Sequence, residues 1–229
     1  MTNSQDAAAI TSTSNHTQQG EAQPALVLVN LGTPTAPEPG PVRAFLREFL
    51  SDRRVIEMSP LLWKPILEGI ILRVRPREVS QKYRSIWMDQ GSPLMHFTRE
   101  QARLLGERLP GVRVEVAMRY GQPSIGSVLD RLHVQGVRRV AILPAYPQYA
   151  ASTVATINDA VAQWIGRNRD GFELRLHRSF PAAPAYIEAL ATALERHWER
   201  VGRPNFLTGD RVVVSFHSIP VAMDEAGDP

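Results

Sequence analysis

A doubly wound α/β fold built on a parallel sheet is what this sequence predicts, and three observations carry that expectation. Short apolar runs rich in β-branched residues alternate with amphipathic stretches of helical period from residue 25 onward. The runs are apolar throughout rather than alternating, as strands covered on both faces require. With 229 residues, 43% of them hydrophobic, the chain can bury a sizeable core, as one large domain or two lobes.

The elements follow in order. "ALVLVNL" (25–31) reads as a strand and "VRAFLREFL" (42–50) as a helix; "VRVEVAM" (112–118) is the next strand and "SIGSVLDRLHVQG" (124–136) its helix. "RRVAILPAY" (138–146) is a third strand and "STVATINDAVAQWIGR" (152–167) a third helix. "FELRLHRSF" (172–180), the long helix "PAYIEALATALERHWERVG" (184–202) and "RVVVSFH" (211–217) continue the rhythm as strand, helix and strand. We expect an N-terminal lobe over residues 25–165 and the beginning of a second lobe over 166–229. Residues 1–24 contain no lysine or arginine and no apolar core, so they fit neither a secretory signal nor an Arg-rich transit peptide and read as a disordered tail of a cytoplasmic protein.

One segment breaks the rhythm. In "SPLLWKPILEGIILRVRPREVSQKYRSIW" (59–87), Leu62, Ile66, Ile70 and Val74 form one apolar stripe and Trp63, Leu67 and Ile71 another, followed by Arg73, Arg75 and Arg77. Two readings stand: an ordinary core helix, or an exposed apolar lip over 59–77 with a basic rim, suited to a greasy substrate or a membrane surface. No run is long and apolar enough to span a bilayer.

Composition removes several chemistries. The chain has no cysteine, which excludes disulfides, thiolate nucleophiles and iron–sulfur ligands within it, so any metal must meet nitrogen or oxygen. A net charge of +3, with arginines scattered and only Lys64 and Lys82 as lysines, gives little support to a nucleic-acid surface.

In a doubly wound sheet, ligands sit outside the carboxyl ends of the strands. The loops there are "NLGTP", "MRYGQP", "LPAYPQYAAST" and "SFHSIP". None is a glycine-rich phosphate cradle. Arg119, Tyr120, Tyr146, Tyr149 and His217 stand there instead, a set suited to a flat, partly apolar, anionic ligand. The histidine at the end of "VVVSF" is notable, because a buried strand would deliver it rigidly to the crevice, and Pro220 holds the preceding residue extended. His96, His133, His177 and His197 lie outside these loops and read as structural or solvated.

The motifs "NLGTP", "FLSDRRVIE", "GSPL", "RYGQPSI", "YPQYAAST" and "SFHSIPVAMDEAGDP", in this order from Ala25 to Pro229, resemble the ferrochelatases, and "LLWKPIL" and "WMDQGSPLM" look most like the proteobacterial branch. The resemblance implies a chelatase-like fold of two Rossmann-type lobes, here with the second incomplete, and insertion of Fe2+ into protoporphyrin IX at the end of haem synthesis, iron being a substrate rather than a bound cofactor. It implies His217 as the catalytic and metal-handling residue. Leu31 would lie against the macrocycle face, Arg119 and Tyr120 at the site, and Ser92 on a propionate. The apolar stripes with Arg73, Arg75 and Arg77 separately lead us to expect that residues 60–77 contribute to porphyrin entry or to peripheral membrane contact.

The chemistry agrees with the first of these roles. Metal insertion removes two protons from pyrrole nitrogens, and a neutral imidazole, with an ordinary pKa of about 6.5, can take a proton or ligate ferrous iron. The family's carboxylate facing the histidine has no counterpart in this sequence, and Asp224, Glu225 and Asp228 belong to the histidine loop. The expectation is therefore of a shortened chain with impaired turnover and a sticky, uncovered strand at 212–216. Other readings are a tetrapyrrole-binding remnant and a related cobalt or nickel chelatase.

Overall fold

The computed structural model describes residues 22–229. The tail expected over 1–24 lies almost wholly outside the described residues. Four strands, β1 (Ala25–Gly32), β2 (Arg113–Tyr120), β3 (Arg139–Pro144) and β4 (Glu173–Leu176), form one sheet in the order β2-β1-β3-β4. Every pairing is parallel. Eight α-helices accompany them among the described residues: α1 (Pro39–Leu50), α2 (Pro60–Ile66), α3 (Leu72–Ile86), α4 (Pro93–Arg108), α5 (Ile125–Val134), α6 (Thr156–Arg167), α7 (Pro184–Val201) and α8 (Val221–Glu225). The strand after the expected lobe boundary, β4, pairs with β3 in this same sheet.

Alternation places the core. Val27, Val29, Ala117, Val140 and Ile142 meet Val128, Leu129 and Leu132 of α5 and Ile157, Val161 and Trp164 of α6. Trp164 anchors this layer: its ring stacks on Phe172 at 4.8 Å, and its Nε1 donates to Asp130 Oδ1 at 2.7 Å, so burial leaves no indole proton unpaired. The other sheet face receives α4, where Asn30 Nδ2 donates to Thr98 Oγ1 at 2.9 Å. The connection leaving β1 runs to β2 on one side, and the connection leaving β3 runs to β4 on the other. The switch point of the fold is therefore the gap between the carboxyl ends of β1 and β3.

A second apolar cluster lies at that end of the sheet. Val42, Phe45 and Leu46 of α1 pack with Leu67, Leu72 and Tyr120, and with half-buried Leu31, Trp63 and Ile71. The lip segment is one nearly continuous helical stretch broken by a π-turn at Leu67–Ile71, and its two stripes part company there. Leu67 is 2% exposed, whereas Leu62, Ile66, Ile70 and Val74 are 65, 37, 59 and 68% exposed. The structure divides the two stripes: Trp63, Leu67 and Ile71 pack in this cluster, and Leu62, Ile66, Ile70 and Val74 face solvent.

The sequence-predicted strand at 211–217 is not one. Residues 210–220 carry no regular structure, and Val213, Val214 and Phe216 are 85, 71 and 75% exposed. β-Branched residues favour strands only where a neighbour supplies pairing and a surface to pack against, and no strand of this sheet pairs with the segment. The strand expected over 172–180 is likewise trimmed to the four residues of β4 that lie along β3. The expected long helix, α7, forms but buries none of its residues.

Close backbone approach explains the glycine of "NLGTP". Gly32 has φ of +115°, and a Cβ there would lie 1.8 Å from the Tyr120 carbonyl oxygen across the β1–β2 ladder. Gly32→Ala is expected to cost about 3 kcal/mol or more, read as a lowered midpoint in urea. The two lip stripes should also separate in stability. Leu67→Ala is expected to cost about 3 kcal/mol, and Leu62→Ser or Ile70→Ser no more than about 0.5 kcal/mol. Equal losses at the two stripes would reject this assignment.

Candidate functional site

The carboxyl end of β2 delivers two adjacent side chains to the crevice. Tyr120 is fully buried, with its ring edge-on to Phe49 at 5.2 Å and the Arg119 guanidinium over it at 4.5 Å. Its phenol donates to Asp52 Oδ2 at 2.9 Å. Arg119 Nη2 donates to the same oxygen, and Arg119 Nε donates to the Thr156 carbonyl at 2.9 Å. Thr156, at the start of α6, gives its own hydroxyl proton to Asp52 Oδ2. The other carboxylate oxygen accepts the Arg54 amide at 2.8 Å.

Asp52 is the residue that sequence reasoning missed. It stands inside the quoted "FLSDRR", but a lone aspartate in a loop carries no signal of its partners. Burial opposes its ionisation most strongly. Hydrogen bonds from Thr156, the Arg54 amide and Tyr120, together with the Arg119 charge, outweigh that effect and hold its pKa below the ordinary carboxylate value. The site therefore keeps a carboxylate that remains ionised at neutral pH. Tyr120 is pushed in the opposite direction, upward, chiefly by burial and further by the Asp52 charge, so its phenol stays protonated and keeps donating. Tyr146 is raised likewise by burial, and its hydroxyl is buried without a hydrogen-bond partner.

Leu31, the next-to-last residue of β1, is half buried against the cluster that contains Tyr120. Ser92 lies across the strand end: it is 6% exposed, and its Oγ accepts from Thr33 Oγ1 at 2.8 Å. That bond leaves the Ser92 proton available, and Ser92 lines a cavity of about 570 Å3 with Thr33, Trp87, Met95 and Arg99. A second, more apolar groove of about 380 Å3 lies on the α4 side, between Leu28, Leu104, Leu105, Leu143, Phe180 and Tyr186.

His217 stands apart from this group. It lies in the exposed, irregular stretch, and its recorded bond runs from Nδ1 to the Ser218 carbonyl at 2.6 Å. A carbonyl only accepts, so Nδ1 carries the proton and Nε2 keeps its lone pair free for a proton or a metal. Residues beyond His217 return to the sheet. Asp228, 7% exposed, accepts the Ala151 amide with both carboxylate oxygens at 2.9 Å, joining the histidine loop to "YPQYAAST". The structure thus groups Leu31, Arg119 and Tyr120, places Ser92 across the strand end, and leaves His217 in a segment that Asp228 ties to the Ala151 amide.

Among the described residues, no cluster of three or more His, Cys, Asp or Glu side chains could hold a metal ion. No helix among them is long and apolar enough to cross a membrane.

The family model for ferrochelatases matches residues 23–229. A protein named Ferrochelatase 1 from Shewanella oneidensis is 46% identical over 209 residues, 89% of this chain and 61% of the relative. The ferrochelatase of Methylibium petroleiphilum is 47% identical over 218 residues, 93% of this chain and 59% of the relative. That of Yersinia enterocolitica is 44% identical over 203 residues, covering 89% and 62%. The chain thus spans about 60% of the length of these curated relatives. With a parallel α/β sheet and a family match over nearly all the described residues, the chain belongs to the ferrochelatase family.

Proposed function

We propose that the crevice outside β1 and β3 seats protoporphyrin IX and that the protein inserts Fe2+ into it, releasing two protons and giving protohaem, the last step of haem biosynthesis. The observation that carries this reading is the pairing of an apolar wall, Leu31 with the Tyr120 cluster, and a fixed cation, Arg119, at the fold's switch point. A macrocycle of apolar face and anionic rim asks for that combination. Ser92, with its proton free, would donate to a propionate, and the Arg119 charge would attract the same anionic rim. Tyr120, buried and already donating to Asp52, would serve as packing beneath the ring.

Insertion requires a base on the macrocycle face. His217 suits that part through its free Nε2, which can accept a pyrrole proton or hand over ferrous iron. The Asp228 tether supports this part, because it ties the histidine loop to the turn that opens α6. The exposed lip stripe, Leu61, Leu62, Ile66, Ile70 and Val74, with Lys64, Arg73, Arg75 and Arg77 beside it, fits a membrane-surface contact of a peripheral cytoplasmic protein, where a greasy substrate would arrive.

Spectral titration with protoporphyrin, followed by an iron or zinc insertion assay, tests the reading. In the full-length protein, His217→Ala is expected to abolish insertion while changing porphyrin affinity by no more than about twofold; near-normal turnover would remove His217 from the mechanism. Serine at Leu62, Ile66 and Ile70 together is expected to weaken porphyrin uptake or binding to anionic vesicles by about tenfold, without loss of fold. Unchanged affinity for both would leave the lip without a role. Porphyrin binding without insertion by the wild-type protein would favour a tetrapyrrole carrier, and preference for cobalt or nickel would favour a related chelatase.

A further inference from the structure

We infer that Asp52 is a positioning residue of the metal-insertion site, holding the Arg119 guanidinium and the Tyr120 phenol in their working orientation; the inference rests on the function proposed above. The argument is one of satisfied bonds. Asp52 Oδ2 is the common acceptor for Arg119 Nη2, Tyr120 Oη and Thr156 Oγ1, and Oδ1 takes the Arg54 amide. The side chains of Asp52 and Arg119 are only 9 and 19% exposed, so solvent screens this pair far less than the surface ion pairs of the molecule.

Arg119 is caught from two sides. Its Nε is spent on Thr156 and its Nη2 on Asp52, which fixes the plane of the guanidinium and leaves Nη1 for a ligand. The Tyr120 ring is wedged between Phe49 and that plane, and its hydroxyl donates to Asp52 Oδ2. Removing the Asp52 charge therefore releases both groups at once and leaves a buried guanidinium without its counter-ion.

The same carboxylate roots the lip. Arg54, two residues on, pairs through its guanidinium with Asp159 in the first turn of α6, so the loop from Ser51 to Ser59 is held against both β2 and α6 before the lip helix begins at Pro60. Asp52 thus connects the entrance of the crevice to the side chains at its floor.

The test is a double-mutant cycle in the full-length protein. Asp52→Asn keeps the size and removes the charge. It is expected to lower kcat for iron insertion by about tenfold or more and to weaken protoporphyrin binding as Arg119→Ala does, because the freed guanidinium no longer meets the anionic rim. Arg119→Ala is expected to cost a similar factor, and the double variant little more than the worse single, because Asp52 acts through Arg119. A purely structural Asp52 would lower the melting temperature while leaving kcat of the folded enzyme unchanged, or its effect would multiply with that of Arg119→Ala; either result overturns the inference. Asp52→Glu covers a failure of Asp52→Asn to fold. It keeps the charge but displaces it by one methylene, and is expected to fold and lose about threefold or more in kcat, whereas wild-type kcat in that variant overturns the inference. A wild-type protein that inserts no iron would overturn the functional reading before any variant is made, so the two failures are distinguishable.

Discussion

One carboxylate organises the functional end of this molecule. Asp52 joins three segments that lie far apart along the chain: the loop after α1, the end of β2 and the start of α6. The glycine loop after β1 joins them indirectly, since Gly32 lies flat against the Tyr120 backbone. A half-buried charge is costly in isolation, and here three side-chain donors and one amide offset that cost. The result is a rigid strand edge where neighbouring loops would otherwise be free to drift.

That rigidity contrasts with the histidine segment. Residues 210–220 have no ladder partner, and their apolar side chains face solvent. What returns the chain to the sheet is the Asp228 carboxylate on the Ala151 amide, at the π-turn that opens α6. Asp52 and Asp228 therefore bind adjoining stretches, Thr156 and Ala151, and α6 becomes the element against which both the Arg119–Tyr120 pair and the histidine loop are referenced. Its inner face, with Ile157, Val161 and Trp164, is packed into the main core, which makes it a stable reference.

Much of the fold was legible in the sequence because hydrophobic period is a local property. The runs at 25–31, 112–118 and 138–146 appear as β1, β2 and β3 with small changes at their ends, and the helices at 42–50, 124–136 and 184–202 appear as α1, α5 and α7. What period alone does not encode is which partner each face meets. The two stripes of the lip look alike in sequence, yet only Trp63, Leu67 and Ile71 turn toward α1 and Tyr120. The run at 211–217 has strand propensity but no neighbour. In the site, the strand-end residues Arg119 and Tyr120 could be placed from topology and Leu31 from the family resemblance, whereas Asp52 could not. Its partners Arg119, Tyr120 and Thr156 lie 67, 68 and 104 residues away in sequence, and no spacing rule reaches that far.

The central claim is that a porphyrin sits at the carboxyl edge of β1 and β3 rather than in the apolar groove on the α4 side. Methyl-labelled leucine spectra recorded during a protoporphyrin titration test this directly, because the macrocycle's ring current shifts methyl groups lying over its face. The account predicts large upfield shifts at Leu31, with Leu132 in the core behind the sheet unmoved. Shifts confined to Leu104, Leu105 and Leu143, with Leu31 unchanged, would place the ligand in the other groove and contradict the account.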